Sequence, residues 1–216
     1  MSVFTAPSAR PAPVLLVIAG LCALFELAFT LTDAGALGLP RLRNAGILHG
    51  AFWPGLLGDW TPLFPGQRLT MLVSYAFVHG GLLHMAFNML ILLHLGREAV
   101  ARLGTPGFLL LFAVSSAGGG LAYWLLGDGE TPMLGASGVV FGLFGATMWW
   151  DIQRRRAAGA SLEPVLRLAG GLVLMNGLLS LLVSGMLAWQ AHLGGFVGGM
   201  ALAAIVTPAP GRRPGL

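Results

Sequence analysis

The stretch Leu134–Trp150 reads LGASGVVFGLFGATMWW. From Ser137 onward it carries no charge, and glycine recurs among large apolar side chains, the composition of a helix packed closely between membrane helices. At about 1.5 Å per residue, Ser137–Trp150 reaches only about 21 Å, short of a hydrocarbon core about 30 Å thick. Its approach, Gly127–Gly135, is therefore expected to dip below the membrane surface, where non-helical backbone is tolerated only against protein or a water-filled cavity. Ser137 is expected at a helix N-terminus inside such a cavity. Free backbone amides and the helix dipole there favour negative charge, a physical setting for an oxyanion.

The rest of the chain fits a membrane setting. Of 216 residues, 56% are apolar and 9% charged, and mean hydropathy is +0.81. A soluble domain carries about a quarter charged residues, so a cytosolic enzyme, a disordered chain and a nucleic-acid binder are excluded. The pI of 10.6 rests on 12 Arg against 8 acids, with no Lys, a balance that Arg at membrane flanks explains. Cys22 is the single cysteine, so no intramolecular disulfide can form.

Six spans follow: Pro13–Leu31, about Gly81–Leu95, Phe108–Leu126, the short Ser137–Trp150, Val165–Val183 and Gln190–Val206. Pro13–Leu31 reads as a span and not a signal peptide, being long and without a clear cleavage site. Leu69–Val78 is a lead-in, cut from the second span by His79-Gly80-Gly81. The expected fold class is an all-α polytopic membrane protein: a six-transmembrane-helix bundle with a short Ser-bearing fourth helix and a long extracytoplasmic loop after the first.

Arg10, Arg97, Arg102, Arg154, Arg155, Arg156, Arg167, Arg212 and Arg213 fall on one side of these spans. Arg41, Arg43 and Arg68 face Asp33, Asp59, Asp128 and Glu130 on the other. The positive-inside rule then puts both termini in the cytoplasm, with Arg154–Arg156 as a topology determinant. The expected organisation is a cytoplasmic segment 1–12, a membrane domain 13–206 and a cytoplasmic tail 207–216. The loop, about 32–80, is expected to form an interfacial lobe with Phe52, Trp53, Trp60 and Phe64 at the headgroups; a partly ordered loop is the alternative.

Polar groups inside a bilayer are costly and each needs a reason. Spans two, four and six enter from the outer side, and their first turns carry His84 and Asn88, Ser137, and His192. Asn88 follows His84 by four residues, so both lie on one helix face. All four sit within about 12 Å of the outer helix ends. Serine becomes a nucleophile when a base accepts its proton, the role open to His192. His84, Asn88 and the Ser137 amide could then donate to a tetrahedral intermediate. No Asp or Glu lies near His192 in sequence, so a Ser–His dyad is expected. Gly135-Ala136-Ser137-Gly138 is followed by Val139, not the glycine of the hydrolase elbow.

At these residues the sequence resembles the rhomboid family of intramembrane serine proteases. Three motifs match in order: Gly135-Ala136-Ser137-Gly138, then His79, His84 and Asn88 ahead of an apolar helix, and Ala191-His192-x-x-Gly195-x-x-x-Gly199. The resemblance covers roughly residues 68–206 and the basic bacterial six-span form. It implies Ser137 as nucleophile and His192 as general base, with His84 and Asn88 on the oxyanion side. Gly135, Gly138, Phe141, His79, Gly195 and Gly199 would support them, the last two by letting span six approach span four. It also implies transmembrane protein substrates cut near the outer membrane face and membrane lipid as surroundings. Nucleic acid, metal and cofactor have no part in it. A multi-pass protein of a bacterial plasma membrane is the expected location.

Two departures stand out. Gln67-Arg68 occupies the place where many members have Trp-Arg, and Phe141 the place of a Tyr stacked on the catalytic histidine. His79 reads as a structural cap of the turn into span two, and His49 and His94 as incidental. Asn176, Ser115 and Ser116 read as interhelical hydrogen bonders, while Glu26 needs a polar neighbour. The competing functions are a catalytically inactive rhomboid-like protein that binds transmembrane clients, and a small transporter, for which paired interrupted helices are missing.

Overall fold

In a computed structural model the described residues are 11–127, 129–182 and 188–207. The first helix, α1 (Pro13–Asp33), begins with proline at its first position, where the missing N–H costs nothing. Leu15, Ile18, Cys22, Glu26 and Phe29 form its buried stripe. Leu16, Val17 and Leu24 on other faces are more than half exposed. A helix apolar on all sides belongs in lipid.

The stretch after α1 is folded through much of its length, in place of a partly ordered loop. It contains α2 (Leu42–Gly50), a tight turn Pro54–Leu57, α3 (Gln67–Ser74) and a second tight turn Tyr75–Phe77. The expected lead-in Leu69–Val78 thus resolves into a short helix and a turn, separated from α4 as foreseen. Phe52, Leu56, Met71 and Tyr75 share a small core with Tyr123, Met133 and Ala191. Gln67 is fully buried: its Nε2 donates to the Leu48 carbonyl at 2.9 Å and its Oε1 accepts from the Leu63 N–H at 2.7 Å. Arg68 donates to the Trp60 carbonyl. The pair standing where Trp-Arg is common therefore does anchor the lobe.

α4 (Leu82–Leu126) is two helical segments that meet at Gly104, where φ is +69°. Only glycine adopts that backbone freely, and Pro106 starts the next segment. The chain folds back there: Phe77, before α4, packs on Phe112 in its second half with centroids 5.5 Å apart. Met89 and Leu92 share a core with Phe108 and Leu111. The expected connection over residues 96–107 is accordingly confined to one residue, because Arg102 pairs with Glu98 and keeps the first segment helical.

α5 runs Ser137–Ala157. Its start is as predicted, but it is not short: 21 residues span about 31 Å. Asp151 pairs with Arg154 and Arg155 one turn on, and this carries the helix past Trp150. Basic residues in the last turn also suit the dipole. The length argument for a sunken approach therefore falls away.

α6 (Glu163–Leu182) and α7 (Trp189–Val206) complete the chain. α5, α7 and α4 pack closely on one another, whereas α6 touches α5 and α7 sparingly. Within the described residues, α1, α4 and α7 are long and apolar enough to cross a membrane, and the one β feature is the isolated bridge Phe52–Met133. Residues 1–10 of the N-terminal segment, Asp128, Val183 and residues 208–216 of the tail lie outside the described residues.

Candidate active site

The approach to Ser137 is extended chain whose polar groups are met by protein. Phe52 and Met133 exchange backbone hydrogen bonds of 2.8 and 2.9 Å, and the Gly135 N–H donates to the Tyr75 carbonyl at 2.9 Å. The Ala136 N–H donates to Nε2 of His79 at 3.3 Å. His79 is fully buried, and its ring supports the loop before Ser137 from across the fold. Tyr75, which no spacing in the sequence marks, locks the same region by donating its hydroxyl to the Ser116 carbonyl at 2.8 Å.

His84 stands on the other side of this loop, edge-on to His79 with centroids 5.2 Å apart. Gly135 has φ +112°, and a Cβ there would lie 2.6 Å from Cε1 of His84. Glycine is needed on both counts: the backbone is left-handed and the imidazole occupies the side-chain space. Asn88 is buried, and its Nδ2 donates to the His84 carbonyl one turn earlier at 2.9 Å.

Ser137 is the first residue of α5 and is half-buried. Phe141, one turn later on the same face, stacks flat on His192 with centroids 4.2 Å apart and planes 4° from parallel. His192 is buried in the first turns of α7. Two glycine contacts bring these helices together. A Cβ on Gly195 would collide with the Gly138 carbonyl, and one on Gly199 with the Gly142 carbonyl. So Ser137, Gly138, Phe141, His192, Gly195 and Gly199 form one seam between α5 and α7, with Gly135, His79 and His84 at its mouth. Among the described residues no hydrogen bond joins Ser137 to His192.

Nδ1 of His192 lies 2.7 Å from Oδ1 of Asn176 on α6. An apolar cavity of about 310 Å³ opens beside this pair, lined by Phe141, Leu172, Trp189 and Phe196 among others. Asn176 thus makes the interhelical bond expected of it. Ser115 and Ser116 do not: both hydroxyls are buried and have no hydrogen-bond partner among the described residues. Ser115 packs its Oγ against Gly142, so these serines serve as small residues. His49 stacks on Phe64 within the lobe. Among the described residues no three His, Cys, Asp or Glu side chains gather as a metal site.

Glu26 finds its neighbour in Arg43, which sequence spacing did not select. Arg43 Nη2 lies 3.0 Å from Glu26 Oε1, and Nη1 donates both to Oε2 and to the His79 carbonyl at 3.2 Å. The signal was faint but present, since Arg43 is one of three cations on that side of the chain and a buried carboxylate calls for one.

Fold and site together define an integral membrane protein, all-helical where described, with a serine at a helix start one turn before a phenylalanine that stacks on a buried histidine. A family model described as Rhomboid domain matches residues 66–209. RHOMBOID-like protein 5 of Arabidopsis thaliana is 30% identical over 178 residues, which cover 80% of this chain and 52% of that protein. Rhomboid protease GlpG of Yersinia pestis (strain Pestoides F) is 34% identical over 131 residues, covering 61% of this chain and 46% of GlpG. GlpG of Yersinia pseudotuberculosis serotype O:3 (strain YPIII) matches to the same extent. The chain belongs to the rhomboid family, which includes intramembrane serine proteases. It spans about half the length of the relatives it matches.

Proposed function

We propose that the chain is an intramembrane serine protease that cuts transmembrane protein substrates near the outer membrane face. Ser137 is the nucleophile and His192 the general base. The observation that carries this reading is the α5–α7 seam, in which His192 stacks on Phe141 one turn from Ser137 at the start of α5. Nε2 of His192 takes the hydroxyl proton as Oγ attacks the scissile carbonyl carbon, then passes it to the leaving amine. Water repeats the sequence to release the acyl group. The oxyanion forms at the helix N-terminus, where the Ser137 amide is a preorganised donor. His84 flanks that position, and Asn88 uses one amide proton on the His84 carbonyl and retains a second.

In this reading α1, both segments of α4, α5, α6 and α7 are six crossings with both termini cytoplasmic. The arginine distribution and the reversal at Gly104 support that count. Membrane lipid surrounds the bundle, a bacterial plasma membrane is the setting, and the reaction uses neither metal nor nucleic acid.

The test uses the purified full chain in mild detergent with a tagged single-pass substrate carrying a Gly/Ala-rich outer segment. Cleavage that persists in EDTA and is lost in both Ser137→Ala and His192→Ala is the expected result. If the wild type neither cleaves nor reacts with a fluorophosphonate at Ser137, the inactive client-binding reading replaces this one.

A further inference from the structure

The contact between Asn176 and His192 comes from the helix that packs least on the bundle. α6 meets α5 and α7 sparingly, and its Val173, Leu174 and Leu181 are largely exposed. Yet its amide reaches Nδ1 of the candidate base at 2.7 Å, at the edge of an apolar cavity. In such surroundings a hydrogen bond counts for more than in water.

Stacking on Phe141 fixes the plane of the imidazole but does not choose which nitrogen carries the proton. An amide oxygen can only accept. With Oδ1 of Asn176 facing Nδ1, the proton of the neutral ring sits on Nδ1 and the lone pair on Nε2. That is the form a general base for serine requires.

We infer that Asn176 is a positioning residue for His192, a third side chain that orients the Ser137–His192 dyad. The inference rests on the Ser–His reading above. In the attack, the Oγ–H bond breaks and its proton moves to Nε2. Oγ bonds to the substrate carbonyl carbon, and the carbonyl π pair moves to oxygen. The Nδ1–H stays on the ring and remains bonded to Asn176 Oδ1, whose partial negative charge stabilises the imidazolium. Cysteine proteases that pair histidine with asparagine use the same logic. Asparagine adds no charge to the site, so the base is oriented without the added basicity that a carboxylate would confer.

The experiment compares the full-length wild type with Asn176→Ala and Asn176→Asp, using the tagged single-pass substrate, pH–rate profiles and [15N]histidine spectra. In Asn176→Ala, kcat is expected to fall about tenfold or more, KM to stay within about twofold, and His192 to leave the Nδ1–H tautomer. In Asn176→Asp the rate recovers at high pH, and the acid limb of kcat moves to higher pH because a carboxylate favours the protonated ring. An unchanged kcat and tautomer in Asn176→Ala overturns the inference. So do equal losses in both variants with an unmoved acid limb and a lowered melting temperature, the pattern of a structural bond. Fluorophosphonate labelling separates the two failures. If labelling survives Ser137→Ala, the Ser–His reading fails and the inference falls with it. If labelling is lost there while Asn176→Ala behaves as wild type, the inference alone fails.

Discussion

Arg43 on α2 holds Glu26 on α1 through two nitrogens, at 3.0 and 3.2 Å, with the carboxylate fully buried. The same guanidinium bonds Asp33 and the His79 carbonyl, and the His79 ring bonds the Ala136 amide next to Ser137. A polar chain thus runs from α1, outside the segment matched to the family, into the loop that carries the candidate nucleophile.

Removing Arg43 alone leaves a buried carboxylate without its partner. Arg43→Met is expected to destabilise by about 3–5 kcal/mol, and Arg43→Met with Glu26→Leu to recover most of that loss. Thermal unfolding in detergent, read as a double-mutant cycle, checks both. The Arg43 guanidinium is raised above its ordinary value, chiefly by the hydrogen bond to Glu26. Its contribution is present below the unfolded value and lost only as pH rises through the higher folded one. Alkaline titration up to about pH 10 should therefore leave this contribution intact.

Gly195 sits where any side chain would strike the Gly138 backbone. Gly195→Ala should lower stability by about 1–3 kcal/mol through overpacking and reduce kcat by pushing His192 away from Ser137. Gly171→Ala is the control, since a Cβ there meets nothing within 4 Å; its stability should equal or slightly exceed wild type, as alanine favours a helix interior over glycine, and its kcat should match. A Gly195→Ala variant with wild-type kcat would show that this approach does not set the site.

His79 accepts a buried amide proton. His79→Ala strands that donor at a cost of about 1–3 kcal/mol and frees the loop before Ser137. Slower fluorophosphonate labelling of Ser137 is the expected readout, measured at equal folded fraction.

Phe141 acts on His192 through ring overlap alone. Phe141→Tyr keeps the stack and should keep kcat within about twofold, whereas Phe141→Ala forfeits about 0.5–1.5 kcal/mol of stacking and should lower kcat. The comparison of kcat at saturating substrate decides it.

The long apolar helices and the candidate site residues are legible in the chain's local pattern, whereas the short α2 and α3 are not. Hydropathy located α1, α6 and α7 to within a few residues, and the Gly-x-Ser-Gly start placed Ser137 at the head of α5. These are local properties, written in periodicity, turn chemistry and motif spacing. Hydropathy ends the fourth span at Trp150, whereas α5 continues to Ala157, because hydropathy does not register the Asp151–Arg155 pair that prolongs the helix. For the same reason hydropathy leaves a dozen residues between the second and third spans, where the structure turns at Gly104.

The partners of the polar side chains emerge from the packing of the helices. Arg43 for Glu26, Asn176 for His192, His79 for the Ala136 amide and Tyr75 for the Ser116 carbonyl are 16 to 57 positions apart. No spacing rule links such residues. Each pair exists because glycine contacts let α5 and α7 close on one another and because Gly104 turns α4 back, so the meeting of side chains is set by how the helices pack and not by their order along the chain.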